Sequence, residues 1–166
     1  NKQVRTKAWA KVLETTEEMR ALAPDTERST IAWRFRALIE LARDEEAYVC
    51  ARTAFESVAR DDAYALNLIA WTIVDPTAKA RPGRDLDLAL SIAERATELT
   101  ERQNAGILDT LATVQFERGS LRLAVDTQEE AVRLAAGREY EGELRERLER
   151  FRKALREQGS GRIATR

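Results

Sequence analysis

The sequence predicts an all-α fold in which antiparallel helix pairs stack side by side and a C-terminal helix caps the stack. Charged residues make up 34% of the 166 positions, and the chain has only 7 glycines and 3 prolines, a composition typical of helix-rich proteins. Apolar side chains recur at intervals of three and four residues, which is the spacing of one helix face. Four positions also recur 35 residues apart, and such a fixed offset indicates a repeat: Leu86 and Leu121, Ala89 and Ala124, Ala96 and Ala131, Leu99 and Leu134.

The chain is predicted to form one helical-repeat domain over residues 1–158, followed by a flexible tail over 159–166. The domain begins with a helix at about 3–22, whose apolar residues follow one stripe: Val4, Ala8, Val12, Met19 and Leu22. Three helix-pair units and a capping helix follow, at about 28–60, 62–100, 104–136 and 138–157.

The first unit pairs two predicted helices. Its first helix carries Trp33, Ala37 and Leu41 at helical spacing. Its second helix has small residues where the second unit has Ala89, Ala93 and Ala96, and small side chains allow two helices to approach closely: Ala47, Ala51 and Ala54.

The second and third units differ in how their two helices are joined. In the second unit the helices at 62–75 and 84–100 flank PTAKARPGR, whose prolines and glycine predict a loop. In the third unit a single glycine, Gly119, separates the helices. It is predicted to be a left-handed C-cap, and Ser120 is predicted to cap the next helix.

The capping helix has an apolar stripe on one side and a dense run of Arg and Glu on the other. A terminal helix that covers a stack is expected to have such a solvated back. The stripe comprises Tyr140, Leu144, Leu148, Phe151 and Leu155.

Residues 108–135 resemble the tetratricopeptide repeat. Leu111 and Ala112 stand where the motif has Leu-Gly, Gly119 stands at its turn glycine, and Ala124 and Ala131 stand at its two alanines. The resemblance implies a short right-handed superhelix with a concave surface lined by the first helix of each pair. Three positions depart from the motif, where aromatic residues are usual: Leu108, Gln115 and Gln128.

A narrower resemblance covers roughly residues 30–155, including ALNLIAWTIVDP and RDLDLALSIAERATELT. These segments are similar to the helical C-terminal region of bacterial thioredoxin-like (TlpA/redoxin-type) proteins. In such proteins a separate, normally exported thioredoxin-fold domain carries the CxxC chemistry. The resemblance therefore implies an appendage of a larger redox protein, with a periplasmic or exported location. The chain begins with Asn1 rather than Met, which favours a fragment or a processed product.

The residue types argue against catalysis. The chain has no histidine and only one cysteine, Cys50, so the commonest general base, the commonest metal ligand and a CxxC pair are all absent. We expect Cys50 to be a buried structural residue, because it lies on an apolar stripe. Nucleotide-binding and hydrolase motifs are absent as well. The sequence thus predicts a non-enzyme without a metal or cofactor.

The charge pattern is more consistent with capping and solubility than with a reactive site. Adjacent acidic pairs such as Glu129–Glu130 diverge on a helix by about 100° and do not converge on one atom. RPGRD, at 81–85, could hold an anion at a helix entrance, but we favour Asp85 as an N-cap with solvated arginines. The net charge of −1 gives no field that would attract nucleic acid or an anionic membrane, and no apolar run is long enough to span a bilayer.

A protein or peptide partner is the interaction that this architecture predicts, although the identity of the partner does not follow from the sequence. The candidate binding residues on the concave surface are Arg36, Glu40, Thr72, Asp109, Thr113 and Phe116. Asn and Lys or Arg, which clamp peptide carboxylates in some tetratricopeptide grooves, are missing at most of these positions. We therefore expect a mixed polar and apolar groove that accepts a segment with some positive charge.

Two other functions remain open from the sequence. The groove carboxylates and arginines, such as Asp109 with Arg36, could bind a small molecule or act as an enzyme. Alternatively, the domain could mainly form a homodimer. Trp71 is interpreted as core between repeats rather than as a ligand platform.

Overall fold

The computed structural model describes residues 2–76 and 83–163, and this part of the chain contains eight α-helices and no β-strand. The all-α prediction is confirmed. A 3₁₀ turn at Pro24–Thr26 precedes the second helix, and a π-helical turn at Ala54–Val58 extends the third. The helices are α1 Lys2–Leu22, α2 Glu27–Glu40, α3 Asp44–Thr53, α4 Ala63–Val74, α5 Leu86–Leu99, α6 Ala105–Glu117, α7 Leu121–Leu134 and α8 Glu141–Ile163.

Three helices begin at a polar N-cap whose side chain accepts a hydrogen bond from the backbone N–H three residues later. These N-caps are Asp62 for α4, Asp85 for α5 and Asn104 for α6, with distances of 3.0, 3.0 and 3.1 Å. Each satisfies a backbone donor that the first helical turn leaves without an intrahelical partner. Asp85 therefore caps α5, as the sequence predicts.

The turn between α6 and α7 is closed by Gly119, which has a φ of +79°. The backbone N–H of Ser120 donates to the carbonyl of Gln115 at 2.9 Å, which is the bond pattern of a glycine C-cap. The predicted left-handed cap is confirmed. Ser120 occupies the N-cap position of α7, but its side chain makes no capping hydrogen bond.

The helices pack in chain order. Each of the pairs α4–α5 and α6–α7 packs together, and α2 packs against α1 and α3. The first helices also contact one another, because α4 packs against both α2 and α6. Finally, α8 packs on α7.

Two hydrophobic clusters form the core, and α6 contributes to both. Ile107 and Leu111 belong to the cluster built mainly from α1 to α5. Leu108 and Ala112, on another face of α6, belong to the cluster with α7 and α8. Consequently, α6 connects the two clusters.

The 35-residue offset corresponds to matching buried positions. Ala89, Ala96, Ala124 and Ala131 are all fully buried, as small residues at close helix contacts are expected to be. The same offset relates buried residues of α2 to those of α4: Ile31 and Leu66, Phe35 and Ala70, Leu38 and Ile73, Ile39 and Val74.

Two predicted segments reach outside the described residues. Most of the predicted loop between α4 and α5, residues 77–82, is outside them, as are residues 164–166 of the predicted tail. The rest of that tail differs from the prediction, because α8 continues past 157 to Ile163. Glycine in a helix costs only about 1 kcal/mol relative to alanine, so Gly159 does not end the helix.

Candidate functional site

The candidate site is the set of partly exposed side chains along α2, α4 and α6, which we call the first-helix surface. It includes four of the six residues predicted from the sequence, together with aromatic and polar neighbours. Its members are Trp33, Arg36, Glu40, Tyr64, Asn67, Leu68, Trp71, Thr72, Phe116 and Glu117.

At the N-terminal end of this surface, α1 contacts both predicted residues of α2. The guanidinium of Arg36 lies over the ring of Trp9, 5.5 Å from its centroid. A carboxylate oxygen of Glu40 lies 3.4 Å from a guanidinium nitrogen of Arg5. Both predicted side chains therefore contact the N-terminal helix, Glu40 through an ion pair and Arg36 through an aromatic ring.

At the C-terminal end, Asp109 is buried, with 7% of its surface exposed. Its carboxylate accepts a hydrogen bond from Gln128 Nε2 at 2.6 Å and a second one from the guanidinium of Arg147. Arg147 also lies over the ring of Trp71, 5.1 Å from the centroid. This arrangement links α4, α6, α7 and α8, and it removes Asp109 from the solvent-exposed surface.

Thr113 is buried inside the fold, and Phe116 is partly covered by α8. Thr113 is fully buried, and its hydroxyl donates to the carbonyl of Asp109 at 2.8 Å. The ring of Phe116 stacks on that of Phe151 with centroids 4.4 Å apart. The sequence places these residues in an open groove, but α8 reaches over this end of α6. A binding role for them stays a prediction.

The central part of the surface belongs to α4. Thr72 is half-buried there, and its hydroxyl donates to the carbonyl of Leu68 at 2.7 Å. Because the N-caps Asp62 and Asn104 mark the same place in α4 and α6, Trp71 is the residue of α4 that corresponds to Thr113. The sequence analysis names Thr72, and not Trp71, as the candidate residue of α4. The two N-cap residues are the signal in the sequence that aligns α4 with α6.

Trp71 is half-buried and is not among the side chains that pack against either hydrophobic cluster. This position differs from the expected core role between repeats. Trp33 and Tyr64, on α2 and α4, are 48% and 71% exposed and are also outside both clusters. The first-helix surface thus presents aromatic side chains that the core does not use.

A buried polar atom lies on α4, the helix that carries Tyr64 and Trp71. The side-chain oxygen of Asn67, one turn before Trp71, is inaccessible to solvent and has no hydrogen-bond partner. A buried acceptor of this kind costs free energy unless a donor reaches it. Gln128, which donates to Asp109 and to the carbonyl of Leu144, likewise leaves its own carbonyl oxygen without a partner.

The carboxylates of this surface are paired with arginines. The carboxylate of Asp109 already pairs with Arg147, and Arg36 lies on Trp9. Glu117 pairs with Arg84 at 2.6 Å. Among the described residues no group of three or more His, Cys, Asp or Glu side chains is placed to hold a metal ion.

Of the two arginines in the segment RPGRD, the structure describes only Arg84. Arg84 is half-buried and paired with Glu117, rather than solvated, and Asp85 caps α5. Arg81 lies outside the described residues.

Cys50 is the one thiol of the chain and is 4% exposed. Its sulfur lies 3.6 Å from the carbonyl oxygen of Ile31, beside an open pocket of about 420 Å³ whose wall includes Arg20 and Arg34. Burial raises the pKa of the Cys50 thiol from 9.0 to about 11, since a low-dielectric environment disfavours the thiolate. The residue is a buried neutral thiol, as the sequence predicts.

We predict that a thiol reagent at pH 8 labels Cys50 about 100-fold more slowly in the folded protein than in urea, because the thiolate is the nucleophile. Because burial disfavours the thiolate, this group leaves the free energy of unfolding unchanged below pH 9, and the free energy of unfolding falls as the pH rises from 9 to about 11. Labelling kinetics and urea unfolding between pH 7 and pH 11 measure both effects. Equal labelling rates in the two states would contradict the prediction.

Comparison of the chain with protein families, with curated proteins and with solved structures finds no match. Within the described residues, no helix has both the length and the apolar content that crossing a membrane requires.

Proposed function

We propose that this chain is a non-catalytic helical-repeat module that binds an extended protein segment on the first-helix surface. In this proposal the helix pairs form a short tetratricopeptide-like superhelix. The module is an appendage of a longer thioredoxin-like protein, which is the role that the sequence resemblance implies.

The observation that carries the proposal is the position of the tryptophans. Trp71 and Trp33 belong to neither hydrophobic cluster, yet both lie on helices that are otherwise well packed. Aromatic side chains on rigid helices bury a large area on binding and lose little conformational entropy. Such residues are frequent energetic centres of protein interfaces.

The packing of successive helices supports the same proposal. Because α4 contacts both α2 and α6, the side chains on these three helices form a preformed surface. Each helix pair buries its apolar side only when neighbouring pairs stack on it. The outer side chains of the first helices then remain free to contact a partner.

The small-molecule or enzymatic alternative is less well supported, because Asp109, its main acidic residue, is buried and paired with Arg147. Dimerisation would use a second copy as the partner. Sedimentation at several concentrations separates dimerisation from binding of a different chain.

Selection from a random peptide display library tests the proposal. We expect peptides that bind the folded chain and lose at least tenfold in affinity when Trp71 is replaced by alanine, as for a central interface residue. Leu123→Ala is the matched control, because Leu123 is an exposed apolar residue on the second helix α7. Circular dichroism verifies that each variant is folded.

Two results would overturn the proposal. One is a selection that enriches no peptide. The other is peptide binding that is unchanged in Trp33→Ala and in Trp71→Ala, because those peptides would be bound elsewhere on the chain.

A further inference from the structure

The acidic side chains of the first-helix surface are neutralised within the protein. Glu40 pairs with Arg5, and Glu117 pairs with Arg84. Asp109, beneath the surface, pairs with Arg147. The carboxylates from which the sequence predicts a positively charged partner are therefore not available to attract one.

Two arginines at this surface lie on aromatic rings and, among the described residues, do not pair with a carboxylate. Arg36 lies over Trp9, and Arg150 of α8 lies over Phe116 at 5.3 Å from the ring centroid. In the described part of the chain, neither guanidinium has a carboxylate oxygen within 4.0 Å. A guanidinium that rests on a ring can still donate its outer in-plane N–H groups to an anion. The Nε atom of Arg36 itself is inaccessible to solvent and has no hydrogen-bond partner.

Both arginines are related in position to Trp71, one through the repeat offset and the other through helix α8. Arg36 occupies on α2 the position that Trp71 occupies on α4, 35 residues later in the repeat. Trp71 contacts Arg147, which precedes Arg150 by one turn of α8. From α2 through α4 to α8, these helices therefore carry Arg36, Trp71, Arg147 and Arg150.

We infer that the partner is an acidic peptide segment, in which Asp or Glu residues alternate with apolar ones. The carboxylates pair with Arg36 and Arg150, and the apolar side chains contact Trp33 and Trp71. Because both guanidinium groups are already positioned by ring contacts, little side-chain entropy is lost when a carboxylate binds. This inference rests on the proposed function and specifies the chemistry of its partner.

The peptide library described above also tests this inference, through the charge of the peptides that it enriches. We expect enrichment of Asp and Glu and depletion of Lys and Arg. A synthetic peptide with the enriched sequence should bind more weakly as salt rises. Its affinity should fall at least tenfold in the double variant Arg36→Gln, Arg150→Gln.

The control is Arg122→Gln, which removes an exposed arginine of α7 and should leave affinity unchanged. Enrichment of basic peptides whose binding requires Trp71 would overturn the inference while the proposed function stands. Acidic peptides that bind the double variant as tightly as the parent chain would overturn it as well. A library that yields no binder would overturn both proposals.

Discussion

Replacement of Arg147 by alanine is expected to lower the free energy of unfolding by about 3 kcal/mol. The substitution leaves the carboxylate of Asp109 buried and without its cationic partner, although Gln128 still donates to it. It also uncovers one face of Trp71. Urea unfolding followed by circular dichroism measures the loss as a lower midpoint with an unchanged slope.

Arg150→Ala is the matched control for this prediction. Arg150 is on the same helix, is exposed and rests on the rings of Phe116 and Phe151, so its removal should cost less than about 1 kcal/mol. Equal losses in the two variants would mean that the buried ion pair has no special role. The double variant Arg147→Met, Asp109→Leu should recover most of the loss, since it removes both buried charges together.

The helices were predictable because their signals are local. Gly119 predicts a turn independently of its surroundings, because the turn requires only a positive φ, which glycine adopts readily. Burial of Ala89 and Ala124 follows from an offset that is visible in the chain itself. In contrast, the end of α8 was missed because Gly159 weakens a helix without stopping it.

The surface was harder to predict because its character depends on contacts between distant residues. Arg147 belongs to the charged side of α8, which predicts a solvated residue, yet it pairs with Asp109, 38 positions earlier in the chain. The periodicity of α6 identifies an apolar stripe but does not indicate which helix covers Phe116. The size of Trp71 predicts a core residue, whereas in the structure it is half-buried and its ring lies under Arg147 of α8.

Substitution of Phe151 by alanine is expected to cost about 3 kcal/mol, because the side chain is fully buried and leaves a cavity against Phe116. Phe35→Ala should cost a similar amount, since Phe35 is equally buried in the other hydrophobic cluster. Urea unfolding measures both losses. A loss below 1 kcal/mol for Phe151→Ala would mean that α8 contributes little to the stability of the fold.

Hydrogen exchange should show that the two variants weaken different parts of the chain. Each helix is stabilised mainly by the helices that it contacts, and local opening follows such units. Phe151→Ala should therefore accelerate exchange mainly in α7 and α8, whereas Phe35→Ala should do so in α1 to α3. Because α6 has side chains in both clusters, its exchange should respond to either substitution. Equal acceleration of exchange in every helix by both variants would mean that the chain unfolds as a single cooperative unit. The helices would then not be stabilised mainly by their neighbours.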